Sequence, residues 1–132
     1  MYIFVLYLQT KFFSTMQLEI KSGTSNKGGK YLILRERVDP THPNTPAVYA
    51  RTGIIKDYNK RVERGLNIVA FGKAPDRWDV KVKGNGKAYA YLKNDQDKVI
   101  LAAVIADSAS DAQEWITFLM PLCNDIDLKP ID

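Results

Sequence analysis

The chain has 132 residues, 45% hydrophobic and 26% charged, the size and composition of one globular domain. Its single cysteine, Cys123, excludes an internal disulfide, and its single histidine, His42, leaves little for a zinc site or histidine-based catalysis. Net charge is +4, but residues 1–93 carry 17 basic against 7 acidic side chains, while residues 94–132 carry 2 against 8. If the two segments fold to different sides, the basic side attracts a polyanion.

Residues 2–8 (YIFVLYL) are apolar but far short of the ~20 needed to span a bilayer, and they lack the flanks of a secretory signal. Residues 1–16 are therefore read as an apolar N-terminal extension, and the chain is expected in the cytoplasm, with peripheral membrane association if it binds lipid. Residues 17–21 alternate polar and apolar like a half-buried strand. A glycine-rich loop follows over 22–29, then a strand over 31–38. Three prolines in 39–46 exclude a central strand there, and His42 falls in this loop. Residues 47–55 read as strand, 56–65 as a charged connection and 66–71 (LNIVAF) as a buried strand.

Residues 78–83 alternate with period two, Asn85-Gly86 suits a two-residue turn, and residues 87–92 alternate again. That turn would place Trp78, Val80, Val82, Tyr89 and Tyr91 on one face, as core or as a platform for stacking bases. A strand over 99–106 completes seven. Ser108 or Ser110 then caps a helix over 109–120, with Ala112, Trp115, Ile116, Leu119 and Cys123 along one stripe. Pro121 is expected to end or kink it near Phe118 to Met120. Residues 121–132 read as a loosely held acidic tail.

The fold expected is mainly β: a seven-strand antiparallel barrel or sandwich capped by a C-terminal amphipathic helix. Over residues 17–120 the chain resembles a pleckstrin-homology domain. The resemblance is carried by the stretch from Ala106 to Leu119, with its Ser-and-acid helix start and Trp115, and by Lys27-Gly28-Gly29-Lys30 leading into Tyr31-Leu32-Ile33-Leu34-Arg35. It implies a non-enzymatic module without cofactor or metal. Such a module would recognise anionic phospholipid headgroups or an acidic protein through Lys21, Lys27, Lys30, Tyr49 and Arg51, with Trp115 plugging the barrel. Where lipid-binding members carry an arginine two residues after the basic residue, this chain has Leu32.

The segment from Lys21 to Tyr31 is also similar to the DNA-binding loop of filamentous-phage single-stranded-DNA-binding proteins. Val69-Ala70-Phe71-Gly72-Lys73 is similar to a strand of bacterial single-stranded-DNA-binding OB-folds. That resemblance implies single-stranded DNA or RNA as the alternative partner. Lys21, Lys27, Lys30 and Arg51 would then neutralise phosphates while Tyr31, Tyr49 or Trp78 stack on bases.

Overall fold

The computed structural model of the protein describes residues 16–37 and 46–132. The expectations for residues 1–15, and for His42 and most of its loop, lie outside the described residues. The elements are β1 (Leu18–Thr24), β2 (Lys30–Glu36), β3 (Val48–Arg51), α1 (Tyr58–Phe71), β4 (Trp78–Val82), β5 (Ala88–Lys93), β6 (Val99–Ala103), α2 (Ala109–Leu122) and β7 (Ile126–Leu128), with a 3-10 turn at Pro75–Arg77. Three strands and a helix thus occur twice in succession, followed by one short strand.

The strands form one sheet in the order β4-β5-β6-β3-β2-β1-β7. Neighbours are antiparallel except β1 and β7, which run parallel. The mainly-β class holds, but the expected barrel does not: β4 and β7 end an open sheet. The two halves meet at β3 and β6, where Ala50 pairs with Ala103 and Arg51 with Ala102.

Three hairpins share one turn geometry, and it decides which side chains face which way. Ser25 N–H donates to Gly29 O at 2.8 Å, Lys83 N–H to Lys87 O at 2.7 Å and Asn94 N–H to Lys98 O at 2.9 Å. Each closes a three-residue loop whose last residue has positive φ: Gly28 and Gly86 at 83°, and Asp97 at 60°. Glycine enters that region without the Cβ clash that penalises other residues. The loop is thus Gly84-Asn85-Gly86 rather than Asn85-Gly86 alone, and the register moves by one. Val80 pairs with Ala90 and Val82 with Ala88, while Tyr89 pairs with Lys81 and Tyr91 with Asp79. A one-residue shift turns every side chain over, so Trp78 and Val80 part company with Tyr89 and Tyr91.

Both helices cover the same sheet face. Leu18, Ile20, Leu32, Leu34, Ala50, Ala90, Leu92, Leu101 and Ala103 bury against Ile68 of α1 and Ile116, Phe118 and Leu119 of α2. Residues 66–71 belong to α1, not to a strand. The turn of the periodicity is hidden because the buried stripe begins with Arg61 and Gly65 before reaching Ile68, and neither looks like core. Asp57 caps this helix, accepting from Lys60 N–H at 3.1 Å. Arg61 is buried because its guanidinium donates to the carbonyls of Ile55, Lys56 and Asp132.

Ser108 caps α2 by accepting from Asp111 N–H at 3.1 Å. The helix runs two residues past the expected stop, to Leu122, with Pro121 inside its last turn. Cys123 N–H closes that turn onto Leu119 O and Met120 O, both at 3.1 Å. Trp115 is part of this packing rather than a barrel plug: its ring lies 5.7 Å from Tyr49 and 5.9 Å from Phe118, centroid to centroid.

The tail is not loose. Ile126, Asp127 and Leu128 pair with Leu18, Glu19 and Ile20. Lys129 N–H then donates to Ile20 O at 3.0 Å, and Asp132 N–H to Ser22 Oγ at 3.2 Å.

Two outcomes test this packing. Trp115→Ala lowers the free energy of unfolding by about 3 kcal/mol in urea melts; a variant as stable as the parent would place the indole outside the core. Burial pushes the Cys123 thiol up to about 12. The native protein therefore leaves Ellman's reagent unreacted at pH 8 and reacts once unfolded. The unfolded thiol ionises first, so the contribution of Cys123 to stability is present below about pH 9 and lost as pH rises toward 12.

Candidate functional site

The face that the helices leave open is defined by pairing alone. One continuous row of side chains crosses it: Lys21, Ile33, Arg51, Ala102, Tyr91 and Asp79, each the cross-strand partner of the next. Tyr31 and Tyr89 stand one step off this row, on opposite sides of it, in β2 and β5. Both line a shallow concavity of about 910 Å³ centred on the β3–β6 junction, together with Val48, Arg51, Ile54 and Ile105.

Its apolar lining is open to solvent: Val48 is 45% exposed, Ile54 49% and Ile105 55%. Exposed aliphatic side chains gathered in one depression mark a binding surface more than isolated ones do. The Arg51 guanidinium lies in the same depression. Among the described residues it makes no side-chain hydrogen bond or ion pair, and Lys21 and Lys81 on the same face are likewise without one.

Tyr31 owes its position to Gly23, its cross-strand partner. A Cβ built on Gly23 would lie 2.7 Å from two carbons of the Tyr31 ring. The ring therefore rests on the bare backbone of β1, one side against Gly23 and the other toward the concavity. On the second half Tyr89 leans against Tyr91, with centroids 6.3 Å apart. The Tyr91 hydroxyl donates to Asp79 at 3.4 Å. Burial, followed by the Asp79 charge, raises the Tyr91 pKa, which keeps it neutral and a donor.

The other charges of this face are neutralised locally. Arg35 donates to Glu19 at 2.8 Å. Lys93 lies 3.8 Å from Asp79. Asp127 accepts from Lys129 at 2.9 Å and lies 3.5 Å from Arg37. The Lys129 hydrogen bond, helped by the Lys129 and Arg37 charges, lowers the Asp127 pKa against the opposing effect of desolvation.

The residues singled out in the sequence do not form one rim. Lys21, Tyr31 and Arg51 share the open face. Lys27 is exposed at the tip of the β1–β2 hairpin. Lys30 shares strand parity with Leu32 and Leu34, so it belongs to the helix side. There its ammonium donates to Thr24 Oγ1 at 3.0 Å and lies 3.5 Å from Asp132.

Tyr49 is 3% exposed, a core residue at a bulge of β3, with its centroid 5.3 Å from that of Phe118. Trp78 is buried and its indole N–H donates to Gly72 O at 2.6 Å, so it offers no ring to a ligand. Ile33 and Lys81 were not singled out, and Tyr89 and Tyr91 were read on one face with Trp78, Val80 and Val82, from which the observed register separates them. The alternation of Ala88, Ala90 and Leu92 against the tyrosines was the available signal, because small side chains are what fit beneath Ala112 of a covering helix. Among the described residues no three His, Cys, Asp or Glu side chains gather as a metal site, and no helix is long and apolar enough to cross a membrane.

No protein-family model matches the chain, and no curated protein matches it. Two solved structures share its fold. A UPF0339 protein from Shewanella oneidensis is 14% identical with a TM-score of 0.63, over 86% of this chain and 91% of that one. The E. coli protein yegP, described as of unknown function, is 13% identical with a TM-score of 0.65, over 86% and 90%.

Gly23→Ala tests the aromatic seat. The added methyl displaces the Tyr31 ring, costing about 1–3 kcal/mol and moving the ring-proton resonances of Tyr31. Unchanged resonances would mean that the ring does not rest on Gly23.

Proposed function

We propose that the protein is a non-enzymatic binding module whose open sheet face takes single-stranded nucleic acid. The observation that carries this reading is the Tyr31 ring, seated on Gly23 and lining the same concavity as Arg51, whose guanidinium has no hydrogen bond or ion pair among the described residues. Bases stack on such rings regardless of sequence, and a cation beside them answers the phosphate. An open antiparallel sheet bearing aromatic side chains is a known solution to this problem, because a flat surface admits splayed bases that a duplex would hide. Tyr89 and Lys81 repeat the arrangement on the second half.

The reading through an anionic lipid headgroup or an acidic protein rests on Lys27, exposed at a hairpin tip beside Gly28. It draws less support: a headgroup needs a compact cationic cup, whereas Lys30 is turned away beside Asp132, Tyr49 is buried and the open sheet has no barrel mouth.

A fluorescein-labelled oligo(dT) 12-mer, followed by anisotropy, should bind at 50 mM salt and weaken at 200 mM. Tyr31→Ala should cost about 1–3 kcal/mol of binding, and Arg51→Ala should reduce the salt slope by about one. No binding at 50 mM salt overturns the reading. Sedimentation with phosphoinositide vesicles, lost in Lys27→Glu and without an oligo(dT) response, would carry the lipid reading instead.

A further inference from the structure

We infer that one strand crosses the sheet obliquely from Tyr31 over Arg51 to Tyr89, so that both halves of the chain build a single site. This rests on the nucleic-acid reading above and specifies its geometry. Tyr31 lies two residues from Ile33, which pairs with Arg51; Arg51 pairs with Ala102, Ala102 with Tyr91, and Tyr89 lies two residues beyond. The two rings are therefore three strand intervals apart and displaced in opposite senses along the strands. At ~4.8 Å between strands and ~3.4 Å per residue, that is about 14 Å across and about 13 Å along, or roughly 20 Å in all.

Adjacent bases cannot reach both rings. Even a fully extended strand separates neighbours by on the order of 7 Å, twice the stacked rise of 3.4 Å. Occupying Tyr31 and Tyr89 together takes about four nucleotides.

The alternative of two equal sites, one per half, is opposed by the asymmetry at the junction. Arg51 of the first half faces Ala102 of the second, so one guanidinium serves the middle of the path. Val48, Val104 and Ile105 line the same concavity and give the sugar edges of the strand an apolar bed between the rings.

A length series on the intact protein tests this, with calorimetric stoichiometry. Affinity for oligo(dT) should rise at least tenfold from the dinucleotide to the hexanucleotide, and the hexanucleotide should bind once per chain. Tyr31→Ala and Tyr89→Ala should each bring the hexanucleotide close to the dinucleotide's affinity, while Tyr89→Phe, which keeps the ring, should bind as the parent does. Circular dichroism checks that the variants are folded.

Equal affinity for both lengths, two oligonucleotides per chain, or a Tyr89→Ala variant that binds normally while Tyr31→Ala does not would each overturn the shared path and leave a nucleic-acid-binding protein. Absence of binding at every length would remove the nucleic-acid reading and the path with it.

Discussion

A left-handed residue at the end of three hairpin loops governs this molecule. Gly28, Gly86 and Asp97 let the chain turn in three residues instead of two. The inserted residue fixes the pairing, and the pairing divides the side chains between a face that packs helices and a face that meets solvent. Had the β4–β5 loop closed in two residues, Tyr89 and Tyr91 would point toward α2, where Ala88 and Ala90 now fit. The helix could not then approach so closely, and the open face would lose two of its rings. One backbone conformation thus sets both the core and the candidate site.

The helix side is knit across the halves rather than packed as two separate units. Tyr49 of β3 lies between Trp115 and Phe118 of α2, at 5.7 and 5.3 Å, so the first half supplies an aromatic ring to the second half's helix. The ring reaches them because β3 bulges between Val48 and Ala50. Ile100 lies at the matching irregularity of β6 and is likewise buried. Aromatic pairs in tilted and edge-on contact add to the burial of their area.

The linear separation of charge does not survive folding, and the parallel pairing of β7 with β1 is the reason. It brings Asp127 to Arg37, and the chain beyond it brings Asp132 to Lys30. The acidic end of the sequence thereby meets cations of its basic beginning. What remains for a ligand, among the described residues, are cations of the open face without such a partner, Lys21, Arg51 and Lys81, set beside rings rather than massed in a cup. Exposed pairs of this kind contribute little stability; their consequence here is in which charges they leave over.

The mainly-β class, six of the strands, the Ser108 cap and the stripe from Ala112 to Cys123 were legible in the residue pattern, because alternation and capping are local. The α1 helix was not, since its buried stripe opens with Arg61, whose burial depends on carbonyls at Ile55, Lys56 and Asp132 that only the folded chain assembles. Nor could the tail declare itself a strand: three residues have no preference strong enough without β1 beside them. Lys21, Tyr31 and Arg51, singled out by residue type, share the open face. Tyr49, Trp78 and Lys30 carry the same chemistry in the sequence and were separated from them only by a bulge, a hydrogen bond to Gly72 O and strand parity. Side-chain type is written in the chain, but the face it reaches is decided by register, and register depends on one backbone angle that the letters allow in more than one way.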